Sequence, residues 1–120
     1  MPFSETLKSI VDNVEGGLGA IIMADDGIAI DEYFLDDTGM DLNLMAVEYA
    51  SLLKDVKRTA DVLKTGELEE MAVNTGGSQV IVRIINDELF IALILGRNGN
   101  SGKGRYLLRR EVFGLRERLS

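Results

Sequence analysis

The 120 residues include neither histidine nor cysteine. The commonest general base, the commonest metal ligand, the thiolate nucleophile and any disulfide are thereby excluded. What remains for chemistry is Ser, Thr, Lys, Tyr and carboxylates. These fall in no arrangement of nucleophile, base and oxyanion donors. Self-contained catalysis is not expected, and no catalytic, cofactor-binding or metal-ligating residue is assigned.

Three stretches come nearest to a chemical signature. Gly96 to Gly104 reads GRNGNSGKG and suggests a phosphate loop. That pattern needs Gly where Arg97 stands and Ser or Thr where Gly104 stands. The stretch still joins a strand to a helix, where a helix N-terminus attracts anions, but it is read as a flexible polar connection over 97–103. Asp25, Asp26, Asp31, Glu32, Asp36 and Asp37 form an acidic run without the alternate-residue spacing of a calcium loop. Strand alternation splits them between faces, so they are read as a solvated hairpin and loop. The last stretch carries Arg105, Arg109, Arg110, Arg116 and Arg118 on one helix. These are expected to pair with Glu5, Asp12 and Glu15 of the first helix, with docking to an acidic partner as the other reading.

The net charge is −7, which argues against non-specific nucleic-acid binding. Its distribution is uneven: residues 1–53 hold eleven acids and one base, whereas residues 97–120 hold two acids and seven bases. No uninterrupted apolar run reaches the length of a membrane span, and the start lacks the pattern of a signal peptide. A cytoplasmic chain without direct membrane insertion is the expectation. Its length suits one domain, 1–120, burying roughly two-thirds of its unfolded surface.

The element on which the rest depends is the stretch from Asp41 to Thr65, free of Gly and Pro. Leu42, Met45, Tyr49, Leu52, Val56 and Leu63 recur at helical spacing, with Ala46, Leu53 and Ala60 widening the stripe. Asp41 is the expected N-cap, and Gly66 the left-handed residue that ends the helix. Leu44, Val47, Ser51, Arg58 and Val62 line up on the opposite side. A wholly solvated face would not carry Leu and two Val, so this helix is read as core-bound on one face and partnered on the other.

Around it the spacing predicts a helix over 4–15, capped by Ser4 and ended by Gly16-Gly17. Strands follow over 18–24 and 28–34, joined by the tight turn Asp25-Asp26-Gly27. Three more strands are expected over 68–74, 78–85 and 88–95, linked by connections too short for anything but antiparallel hairpins. A last helix runs from Gly104 or Arg105 to the C-terminus, with Leu108, Val112, Leu115 and Leu119 inward. The central strands are apolar on both faces, as in a sheet covered on both sides. The fold class is therefore α+β, a three-layer α/β/α sandwich. It has one five-stranded antiparallel sheet, the long helix on one face and the terminal helices on the other.

In this order of elements, the chain resembles the Roadblock/dynein light chain family, particularly its bacterial MglB-like members. The carriers are the hairpin IIMADDGIAI, the helix end LKTGELEEMAV, the strands SQVIVRIINDELFIALIL and the entry NGNSGKGRYLL. The resemblance implies a homodimer with antiparallel long helices and edge strands that join two sheets. It also implies a small Ras-like GTPase as partner, whose activity or localisation the dimer controls. The expected dimer residues are Leu44, Val47, Glu48, Ser51, Asp55, Arg58 and Val62 on the helix. Met71, Ala72 and Val73 are expected on the strand. Setting Leu44 opposite Val62 also sets Glu48 opposite Arg58 and Ser51 opposite Asp55. Lys54, Arg58 and Arg97 are the expected GTPase contacts, with no cofactor. A PAS- or profilin-like sensor binding a small ligand, and an inert assembly subunit, are the competing readings.

Overall fold

A computed structural model describes residues 3–119. Met1 and Pro2, which begin the stretch read for a signal peptide, lie outside the described residues, as does Ser120 of the expected last helix. The elements run α1 (Ser4–Asp12), β1 (Gly17–Ala24), β2 (Ala29–Phe34), α2 (Leu42–Leu63), β3 (Glu70–Asn74), β4 (Ser78–Ile84), β5 (Leu89–Gly96) and α3 (Ser101–Leu119). All strand pairs are antiparallel, in the order β2-β1-β5-β4-β3.

The three layers are those expected from the strand composition. Ile21, Met23, Val80, Val82, Phe90 and Ile94 point to the α2 side, where Leu42, Ala46, Ala50 and Leu53 meet them. Ala20, Ile22, Ile81, Ile91, Leu93 and Leu95 point to the other side, against Leu7, Ile10 and Val11 of α1 and Leu107, Leu108 and Val112 of α3. Each central strand therefore feeds two cores, which explains why its sequence does not alternate.

Several boundaries differ from expectation, each for a local reason. α1 stops at Asp12 because Asn13 closes it: its backbone N–H bonds the carbonyls of Ser9 and Ile10, and its side chain also reaches Ser9 O. Phe3, not Ser4, is the N-cap, and no side chain caps that end. Asp41 does cap α2, its Oδ1 accepting from Leu44 N at 3.0 Å. The left-handed residue that ends α2 is Lys64 (φ 55°), two positions before Gly66. α3 begins three residues early, at Ser101, because Asn100 Oδ1 accepts from Lys103 N and so supplies a cap.

The inward face of α2 is also rotated. Ala50 is buried, whereas Leu52 and Leu63, expected inside, are 41% and 64% exposed. Nothing after Leu53 in α2 is fully buried. The helix has 22 residues, a length of about 33 Å. The strands beneath have at most 8, about 26 Å. α2 is thus longer than the strands that floor it.

Candidate interaction face

The outer side of α2 is assembled from residues three or four apart, about one turn, all exposed: Leu44, Val47, Ser51, Asp55, Arg58 and Val62. Leu44 is 58% and Val62 68% exposed. The missed pair Leu52 and Leu63 extends this apolar surface sideways. Their helical phase was the available signal, since both lie far from the line through Leu42, Ala46 and Leu53. Glu48 and Lys54 are exposed on the same helix. Together these give five large apolar side chains beside two bases and two acids. That composition suits a contact with another protein surface.

Alongside runs β3, which is an edge of the sheet as expected, although it begins at Glu70 and not Leu68. Ile84 N bonds Glu69 O and Thr75 N bonds Ser78 O. Antiparallel alternation then turns the backbone groups of Met71 and Val73 toward β4, and those of Glu70, Ala72 and Asn74 toward the open edge. Met71 packs against the α2-side core. Glu70 is held by two arginines, with Oε2 at 3.2 Å from Arg105 Nε and Oε1 at 3.7 Å from Arg83 Nη1.

That contact corrects the expected pairing of α3 with α1. Arg105 goes to Glu70, Arg110 to its neighbour Glu111, and Arg116 Nε donates to Ile85 O at 2.6 Å. Asp12 instead pairs with Lys8 on its own helix, and that hydrogen bond raises the Lys8 amine above its ordinary pKa. Arg118 does reach α1, its Nη1 donating to Thr6 Oγ1 at 3.3 Å, so the basic residues of α3 divide between the sheet, their own helix and α1.

The connection around Arg97 is not a flexible tether. Gln79, 8% exposed, points its side-chain nitrogen at the carbonyls of Gly99 (2.9 Å), Arg97 (3.1 Å) and Gly96 (3.2 Å). Asn100 N bonds Glu15 O, and Gly96 N bonds Gly16 O. The Arg97 side chain is exposed on this pinned loop. Gln79 was missed: a glutamine in an apolar strand was the only signal, and it names no partner.

The acidic run is dispersed. Asp25 meets Lys57 at 3.0 Å, Asp26 accepts from Ile28 N, and Asp31 accepts from Phe3 N. Among the described residues no three acids are grouped to hold a metal. A surface cleft of about 250 Å³ lies between the end of α2 and the β4–β5 turn, lined by Lys57, Asp61, Glu67, Leu68 and Asp87 among others. It is polar and lies outside both cores. Among the described residues no helix is long and apolar enough to cross a membrane.

No protein-family model and no curated protein matches the chain. Solved structures do. The crystal structure of MglC from Myxococcus xanthus is 39% identical over 98% of this chain and 99% of that one, with a TM-score of 0.72. A Roadblock/LC7 domain from Streptomyces avermitilis superposes with a TM-score of 0.86 at 17% identity, over 99% of this chain and 98% of that one. Myxococcus xanthus MglB gives 0.84 at 10% identity, over 98% and 86%. The last two are likenesses of fold.

Proposed function

The chain belongs to the Roadblock/LC7 domain family, and from that premise we propose that it is a homodimeric, non-catalytic regulator of a small Ras-like GTPase. The observation that carries this reading is the outer face of α2. Leu44, Val47 and Val62 stand exposed there, on a helix that also overhangs its own sheet and lies beside an open strand edge. Isolated apolar residues are ordinary on a surface, but several aligned at both ends of one helix face mark a contact.

In the proposed dimer, α2 packs antiparallel on its mate about a two-fold axis. Leu44 meets Val62, Glu48 meets Arg58, Ser51 meets Asp55, and Val47 fills the seam. Met71, Ala72 and Val73 pair with the same strand of the partner subunit and continue the sheet. Lys54, Arg58 and Arg97 contact the GTPase. That partner brings nucleotide, magnesium and catalytic groups, which accounts for a regulator with none of its own. The dimer speeds hydrolysis by ordering the GTPase's own switch segments and donates no side chain. Its setting is the cytoplasm, in a polarity or motility role of the kind named for a neighbour called a gliding protein.

The test is binding and single-turnover hydrolysis with the Ras-like GTPase that co-purifies with the chain. Preferential capture of the GTP form and a faster turnover are expected. Capture without acceleration would reduce the protein to a scaffold. Indifference to the bound nucleotide would sink the proposal.

A further inference from the structure

Two exposed apolar clusters stand apart from α2 and have no part in the reading above. The first is at β2, the other edge of the sheet, where Ile30 is exposed on the strand and Ile28 and Leu35 just before and after it. The segment from Asp25 to Asp41 holds seven acids and no base, relieved by Lys57 at Asp25 and by Lys8 over the Tyr33 ring. The second is the outer side of α3. Tyr106 and Phe113 are exposed there, Phe113 at 69%, while Leu108, Val112 and Leu115 bury the other side. Cations flank both rings: Lys103 and Arg110 lie 5.9 Å from Tyr106, and Arg116 lies 5.7 Å from Phe113. Arg109 is exposed beside them.

We propose that these two surfaces bind one another between copies of the chain, the aromatic and basic face of α3 docking on the acid-rimmed edge at β2. The two are complementary, aliphatic side chains for the rings and further carboxylates for the guanidinium groups, of which Arg110 already has Glu111 beside it. They do not meet within one chain. α1 packs on β1 and β2 whereas α3 packs on β4 and β5, so the order of the sheet sets the surfaces at opposite ends.

Such a contact is heterologous. Each copy that engages its α3 still presents a free β2, and the reverse, so the assembly extends into a ring or an open array. It leaves α2 and β3 untouched, and so adds to two-fold pairing without replacing it. Most of the rim charge is solvent-exposed, which makes the association salt-sensitive.

The experiment is sedimentation velocity of the full chain across concentration, at about 0.05 M and about 0.5 M salt. At low salt the mass should climb beyond its smallest unit, and at high salt it should fall back. The double variant Arg109→Glu/Arg110→Glu should weaken this growth at least about tenfold, as should Glu32→Lys/Asp36→Lys. Mixing the two variants should restore it, because the reversed charges now face one another. A mass that never exceeds the smallest unit overturns the proposal, as does growth indifferent to both variants or a mixture that fails to recover. Sedimentation of otherwise unassociated protein with phosphatidylserine vesicles would assign the α3 face to a lipid surface and also overturn it. The growth is read from the smallest unit, one chain or two, so failure here is separable from failure of the α2 pairing.

Discussion

The side-chain amide of Gln79 on β4 reaches the carbonyl of Gly99 at 2.9 Å, across the loop that carries Arg97. One buried NH2 group thereby reaches three loop carbonyls, those of Gly99, Arg97 and Gly96, the last of which also accepts from Gly99 N. Gln79→Leu keeps the volume but takes their donor from the carbonyls of Arg97 and Gly99, a loss of about 1–3 kcal/mol. Chemical denaturation should register it, and amide exchange at Gly99 and Asn100 should quicken beyond the global change.

The glycines of two turns should answer differently to the same substitution. Gly27 has φ +88° with nothing near its missing Cβ, whereas Gly16 has φ +82° and a Cβ would sit 2.5 Å from Gly99 Cα. Gly27→Ala should cost about 1–2 kcal/mol, the left-handed backbone alone. Gly16→Ala should cost clearly more, because two backbones must also part. Thermal melts of the two variants make the comparison, and equal losses would refute the close approach.

Proline separates edge pairing from folding. Ala72→Pro removes a donor that faces the open edge, while Val73→Pro removes one that β4 uses. The first should leave a folded chain that no longer dimerises at full strength; the second should destabilise the monomer itself. A full-strength dimer of Ala72→Pro in sedimentation would remove β3 from the interface.

On α2, Leu44→Asp should weaken dimerisation roughly ten- to a hundredfold. Asn43→Asp, equally exposed but off the seam and in the first turn where acids are welcome, should change little. Equal effects would refute the register that opposes Leu44 to Val62.

For the GTPase, Arg58→Ala and Arg97→Ala should each preserve most of any stimulation. A donated arginine typically carries on the order of 10³–10⁵ in rate. A collapse of that size in single-turnover assays would convert one of them into a finger.

The layers and strand order of this chain were legible because double-sided burial leaves a direct mark, a strand that does not alternate. The outward stripe of α2 was legible for the same reason, since Leu44 and Val62 violate the pattern of a solvated helix. Leu52 was misjudged on phase, since its neighbour Leu53 is buried, whereas Leu63 lies beyond the last buried residue of α2, where the shorter strands give no floor. Lys64 could not be foreseen, since a lysine seldom adopts φ 55° and Gly66 stood close by. Interactions between distant residues, Gln79 with the Arg97 loop and Arg105 with Glu70, have no local signature at all.

The strand at the middle of the sheet is also the last one to leave the ribosome. β5 is flanked by β1 and β4, so before it is synthesised the chain holds only two separate hairpins, β1–β2 and β3–β4, with no hydrogen bond between them. β1 must wait until Leu89 to Gly96 emerge before its second edge is covered. A growing chain therefore carries open, strongly apolar strand edges until β5 emerges, the kind of surface that chaperones bind and aggregates recruit. Emergence of β5 both completes the sheet and covers those two edges, making nascent-chain length the switch between a vulnerable and a protected molecule.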